Sequence, residues 1–222
     1  MSAPACLAME IARDMYDPAA DDMISAVRRR DHDAIHSIDD SFHEQVNEVV
    51  DGESPMSAAA KMGSWDTLEL LYSLGGDPGQ PVDEDGTTPL FLLVSQCPPR
   101  LRAPCLQLMV GWGGVEIDAM CDLQTPLEYL GSLGSARFRI HSGDLASMKT
   151  LVLGGAHVGQ GTVTNSDTRD RLIAWAEGEI DANLHPPEVA TRLKRCQHVL
   201  ERERDWDHQC CYAEQRGSCA LA

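Results

Sequence analysis

The chain has 222 residues, with 35 acidic against 18 basic side chains and a formal net charge of −17. That charge repels nucleic-acid phosphates and anionic membrane surfaces, so neither is an expected partner. Only 5% of residues are aromatic within a 43% hydrophobic content, a balance that suits small stacked helices better than a large sandwich.

Residues 1–20 form an N-terminal extension in which Glu10 and Asp14 interrupt a short apolar run, unlike a signal or transit peptide. No apolar run approaches the ~20 residues a membrane span needs, and the expected location is intracellular, cytoplasmic or nuclear. Residues 21–50 read as a capping unit. Met23, Ile24, Ala26 and Val27 carry helical spacing, and Ala34, Ile35 and Ile38 give a second short helix. Arg28-Arg29-Arg30 between them lies among Asp21, Asp22, Asp31 and Asp33, as a solvated, locally neutralised face.

A pattern then recurs three times. Asp51-Gly52-Glu53-Ser54-Pro55, Asp83 to Pro89 and Asp122-Leu123-Gln124-Thr125-Pro126 each join a polar turn to a Ser/Thr-Pro step. The hydroxyl of Ser54, Thr88 or Thr125 can cap a helix, and the proline then occupies the first helical position, where a missing N–H costs nothing. An apolar helix comes next, then a second one. The Gly75, Gly113–Gly114 and Gly155 regions end the second helices, by left-handed caps. The Ser/Thr-Pro steps begin at 54, 88 and 125, so they lie 34 and 37 residues apart.

Turn, helix, helix at a period near 33 with a Thr-Pro-Leu start resembles the ankyrin repeat, over roughly residues 21–160. The resemblance implies an all-α fold: an ankyrin-type solenoid of stacked helix-turn-helix repeats with short β-turn fingers and helical caps. The later repeats are longer. From the Ser/Thr to the closing glycine takes 21, 25 and 30 residues in turn. The additions fall near 97–104, at Cys97-Pro98-Pro99-Arg100, and near 135–142. Leu123 stands where the family turn has Gly, which predicts a distorted third finger. Ala59, Leu68, Leu71, Leu90, Leu93, Leu106, Met109, Leu127, Leu130, Met148 and Leu151 are the expected core. Trp65 and Trp112 are expected to pack over helix ends.

Residues 161–222 read as a C-terminal helical cap and mobile tail. One helix spans Asp167 to Asn183, with Leu172, Ile173, Ala176 and Ile180 on one side. Pro186-Pro187 separates it from a second, Glu188 to about His208, with Val189, Leu193, Cys196 and Leu200 as its stripe; the tail after Tyr212 is expected to be mobile.

Chemistry is sparse. The glycine run 75–79 lacks the Lys-Ser/Thr of a phosphate loop, and no nucleophile elbow, H-E-x-x-H or kinase set occurs. The eight cysteines are too few and irregular for a secreted disulfide scaffold. No cofactor, metal or catalytic residue is expected. The leading expectation is therefore a non-enzymatic protein-protein interaction module. By the resemblance, its contact surface comprises Asp51, Glu53, Lys61 and Met62; Glu84, Asp85, Thr87, Ser95 and Gln96; and Cys121, Asp122, Gln124, Ser132 and Leu133. The acids among them call for a partner bearing Lys or Arg. The alternative is a metal-responsive protein working through Cys196, His198, His208, Cys210, Cys211 and Cys219, although adjacent Cys210 and Cys211 suit zinc poorly.

Overall fold

The computed structural model describes residues 22–41, 45–133, 141–159 and 161–215, with side chains through 206 and excluding 40 and 41. Among the described residues there are ten α-helices and no β-strand. They are α1 (Met23–Arg29), α2 (His32–Ser41), α3 (Pro55–Met62), α4 (Trp65–Ser73), α5 (Pro89–Gln96), α6 (Pro99–Gly111), α7 (Pro126–Ser132), α8 (Ser142–Gly154), α9 (Ser166–Ala182) and α10 (Pro187–Gln215). The N-terminal extension, most of the insertion near 135–142 and residues 216–222 lie outside the described residues.

Local chemistry starts α3, α5 and α7. Ser54 Oγ accepts from Ser57 N–H at 3.2 Å while Ser57 Oγ accepts from Ser54 N–H at 2.8 Å, a reciprocal cap. Thr88 Oγ1 accepts from Phe91 N–H at 3.2 Å. Thr125 and Glu128 cap reciprocally, at 3.2 and 2.9 Å. In all three the proline opens the helix.

The helices pack in two rows that keep to sequence order. The first row is α1, α3, α5 and α7, each against the next; the second is α4, α6 and α8. One short helix cannot hide an apolar stripe alone, so neighbours complete the core. Every apolar residue expected inside is buried, Leu127 at 1% exposure being the least enclosed. α9 and α10 pair with each other and dock on α8. Leu172, Ile173, Ala176, Leu193, Cys196 and Leu200 are buried there, with Ile180 and Val189 partly covered.

Four expectations need correction. Leu123 does not distort its turn: Asp122 and Leu123 have φ of 54° and 65°, matching 52° and 75° at Asp51 and Gly52. The second row's middle helix ends at Gly111 through an extended Trp112, and left-handed Gly114 comes later (φ 91°). Trp112 does pack, stacking on Tyr72 with ring centroids 4.2 Å apart. Trp65 does not; at 57% exposure it stands in solvent. Finally, α10 runs past His208 to Gln215.

The insertion near 97–104 is built into the body. It begins α6 and places Arg102 against Asp144 of α8, both almost enclosed. Arg102 Nη2 also donates to the Cys97 carbonyl at 2.8 Å. Gly143 permits this approach, because a Cβ there would lie 2.1 Å from the Pro99 carbonyl oxygen.

Candidate interaction surface

The three turns preceding α3, α5 and α7 stack beside one another. Tips one and three are two-residue turns closed by paired backbone bonds, Val50 with Glu53 at 2.9 and 3.0 Å and Cys121 with Gln124 at 3.0 Å each way. Both central residues take positive φ, the arrangement that matches strand twist in tight hairpins. The middle tip is longer. Val82 N–H donates to Thr87 O at 2.9 Å, and Asp83 Oδ1 accepts from Thr87 N–H at 2.9 Å. Hydrogen bonding from the Thr87 side chain, and secondarily from the backbone of Thr87 and Asp85, holds the Asp83 carboxyl below its usual range against a small opposing desolvation.

The tips contact one another in order. Thr87 Oγ1 lies 3.1 Å from Cys121 Sγ in a buried contact. A Cβ on Gly86 would stand 3.3 Å from the Met120 carbonyl, and one on Gly52 4.0 Å from that of Val82. These contacts bring the sequence-expected acids of separate turns onto one edge. Asp51, Glu84, Asp85, Asp122 and Gln124 are all exposed there, while Gln96 and Ser132 are exposed at the far ends of α5 and α7.

Other expected contact residues are turned to internal work. Glu53 is only 9% exposed and sits between two cations, Arg28 of α1 and Lys61 of α3. Lys61 Nζ donates to Glu53 Oε1 at 2.8 Å. Burial alone would raise the Glu53 carboxyl, but the hydrogen bonds and charges of Lys61 and Arg28 outweigh it and hold it low. Glu53 is thus a brace between α1 and α3. Arg28 correspondingly reaches an acid 25 residues away, beyond the neighbouring acids expected to neutralise it. Thr87 and Cys121 are buried between tips at 8% and 7% exposure. Met62 and Leu133 pack partly on the core, and half-buried Ser95 donates to the Phe91 carbonyl at 2.9 Å.

Beside this brace lies an open cleft of about 270 Å³, lined by Asp22, Ile24, Arg28, Val50, Asp51, Gly52, Glu53 and Lys61. Sequence reasoning missed it, because its two walls come from the cap and the first turn. It also missed the exposed apolar residues of the edge: Val49, Val50, Met120 and Leu123, the last 87% exposed. One signal was available for Leu123, namely a large residue where two-residue turns favour glycine.

The cysteines the structure describes are enclosed. Burial pushes the Cys105 thiol up to about 12, aided by Cys97 and Asp66, with Arg30 opposing. Burial likewise pushes Cys196 up to about 11. Thiols held this high are protonated at neutral pH and make poor nucleophiles or ligands. Cys196 faces the α9–α10 core while His198 is exposed, so the two do not converge. Cys219 and the side chains of His208, Cys210 and Cys211 lie outside the described residues. Among the described residues, no three His, Cys, Asp or Glu side chains are placed to hold a metal ion. No helix among them is long and apolar enough to cross a membrane. Compared with known proteins, the chain matches no protein-family profile and no curated protein sequence.

Proposed function

We propose that this chain is an ankyrin-type repeat module that acts without catalysis, binding a protein partner that presents basic residues to its turn edge. One observation carries the reading. Asp51, Glu84, Asp85 and Asp122 are exposed on three successive, mutually touching tips, while Glu53 beneath them is neutralised internally. Aligned like charges steer an oppositely charged partner and set its orientation. The 34- and 37-residue spacing of capped Ser/Thr-Pro steps, with helices packed in sequence order, supports the repeat assignment.

Affinity capture from lysate tests it, comparing wild type, Glu84→Lys/Asp85→Lys, and a control with the same charge change at exposed Glu69 and Asp170. The reading expects one captured protein to fall at least ~10-fold with the tip reversal and to survive the control, a loss of about 1.4 kcal/mol. Its capture should also weaken as salt rises to about 0.3 M, where exposed charges are screened. Equal capture by all three proteins refutes it.

A further inference from the structure

Apolar residues are unevenly spread along the turn edge. Its first tip carries exposed Val49 and Val50 beside Asp51, its middle tip Glu84 and Asp85, and its third tip Met120 and Leu123 beside Asp122. Single exposed apolar residues are ordinary. Leu123 is not ordinary: it is 87% exposed and also has φ of 65°, a left-handed backbone that a branched side chain disfavours. Met120 beside it is 56% exposed, and its carbonyl lies against Gly86 of the middle tip. Acids therefore run along the whole strip, while its exposed apolar side chains sit only at the two ends, beside Asp51 and Asp122.

Resting on the function proposed above, we infer that this strip receives an extended segment of the partner with a defined register: an apolar residue, two basic residues and a second apolar residue at alternate positions. Adjacent packed helices stand ~10 Å apart, so the outer tips are separated by roughly 20 Å. An extended chain rises about 3.3 Å per residue, and six steps cover that distance. Alternate side chains of an extended chain share one face, so positions 1, 3, 5 and 7 all point at the strip. Apolar side chains at 1 and 7 then meet Val50 and Leu123, while Lys or Arg at 3 and 5 meets Glu84 and Asp85. A second copy of this chain is the wrong occupant: with a net charge of −17 it would bring acid against acid.

The test titrates the full-length protein with a fluorescent peptide, Leu-Thr-Lys-Thr-Lys-Thr-Leu, to about 1 mM, the weak end of measurable affinity. Two control peptides accompany it. One replaces both leucines by serine. The other lacks the central threonine, which throws the ends onto opposite faces. The expected result is binding that falls at least ~10-fold with either control peptide and with Met120→Ser/Leu123→Ser, and that vanishes with Glu84→Lys/Asp85→Lys. Circular dichroism checks that the variants keep their helices; both substituted apolar side chains are exposed, so folding should survive. Absence of binding, or equal binding of the three peptides, overturns the inference. So does unchanged binding by Met120→Ser/Leu123→Ser, and so does a dimer in sedimentation that this variant dissolves. If lysate capture is lost on tip charge reversal but indifferent to Met120→Ser/Leu123→Ser, this register fails while the broader proposal stands.

Discussion

Replacing Asp144 by alanine tests how the second row of helices is held together. Arg102 and Asp144 lie 42 residues apart in sequence and are 4% and 10% exposed as side chains. Removing the carboxylate leaves a guanidinium enclosed, with Nη2 on the Cys97 carbonyl and a buried Nε that has no hydrogen-bond partner. Breaking a buried pair from one side costs about 3–5 kcal/mol, chiefly because the surviving charge stays desolvated. With a urea m-value of about 2 kcal/mol/M, the midpoint should fall by about 1.5–2.5 M. The thermal midpoint should fall by roughly 6–20 °C for a chain this size. Equilibrium urea unfolding monitored by circular dichroism measures this. The companion variant Arg102→Met/Asp144→Leu removes both charges and should recover to within about 1 kcal/mol of wild type, since apolar replacement of a buried pair is often neutral or better. A loss under about 1 kcal/mol for Asp144→Ala would refute the reasoning, because water would then be reaching the guanidinium.

The same geometry sets three more expectations. Gly143→Ala gains helix propensity of at most about 1 kcal/mol, but its Cβ would meet the Pro99 carbonyl oxygen at 2.1 Å. The net result in a thermal melt should be a loss of about 1–3 kcal/mol. Leu123→Gly should stabilise the protein by about 1 kcal/mol in urea, by relieving the left-handed conformation at an exposed site. Glu53→Gln should lower stability at pH 7 by about 1 kcal/mol, the scale of a pair whose cations are partly exposed. Because the folded Glu53 carboxyl lies below its ordinary 4.5, its contribution is present above that pH and is lost as pH falls through the lower folded value. Wild type and variant should therefore converge in strong acid, as urea titrations at successive pH values will show.

Much of the helical scaffold is legible from residues close together along the chain. Ser54, Thr88 and Thr125 cap the helices they precede because a hydroxyl and an N–H three residues on meet whatever the rest of the chain does. The core is legible for a related reason: Leu68 and Leu71, or Leu127 and Leu130, share a helix face by spacing alone, and both pairs are buried. The candidate surface is less legible. Glu53 reads as one more acid in a turn until Arg28 and Lys61 are seen around it, and Trp65 reads as a packed ring until it is found in solvent. Leu123 shows the limit from the other side. Its sequence position marked a conflict with the turn, and the backbone resolved that conflict by accepting strain instead of changing shape.

Periodicity and capping, which act over three or four residues, were enough to establish the helical character of the described residues, the starts of the helices at Pro55, Pro89 and Pro126 and the faces they bury. Which acids remain exposed, and which brace the interior, depended on side chains brought together from 8 to 42 positions apart. Coulombic pairing and desolvation depend on distance through space, and only packing of the helix rows sets that distance.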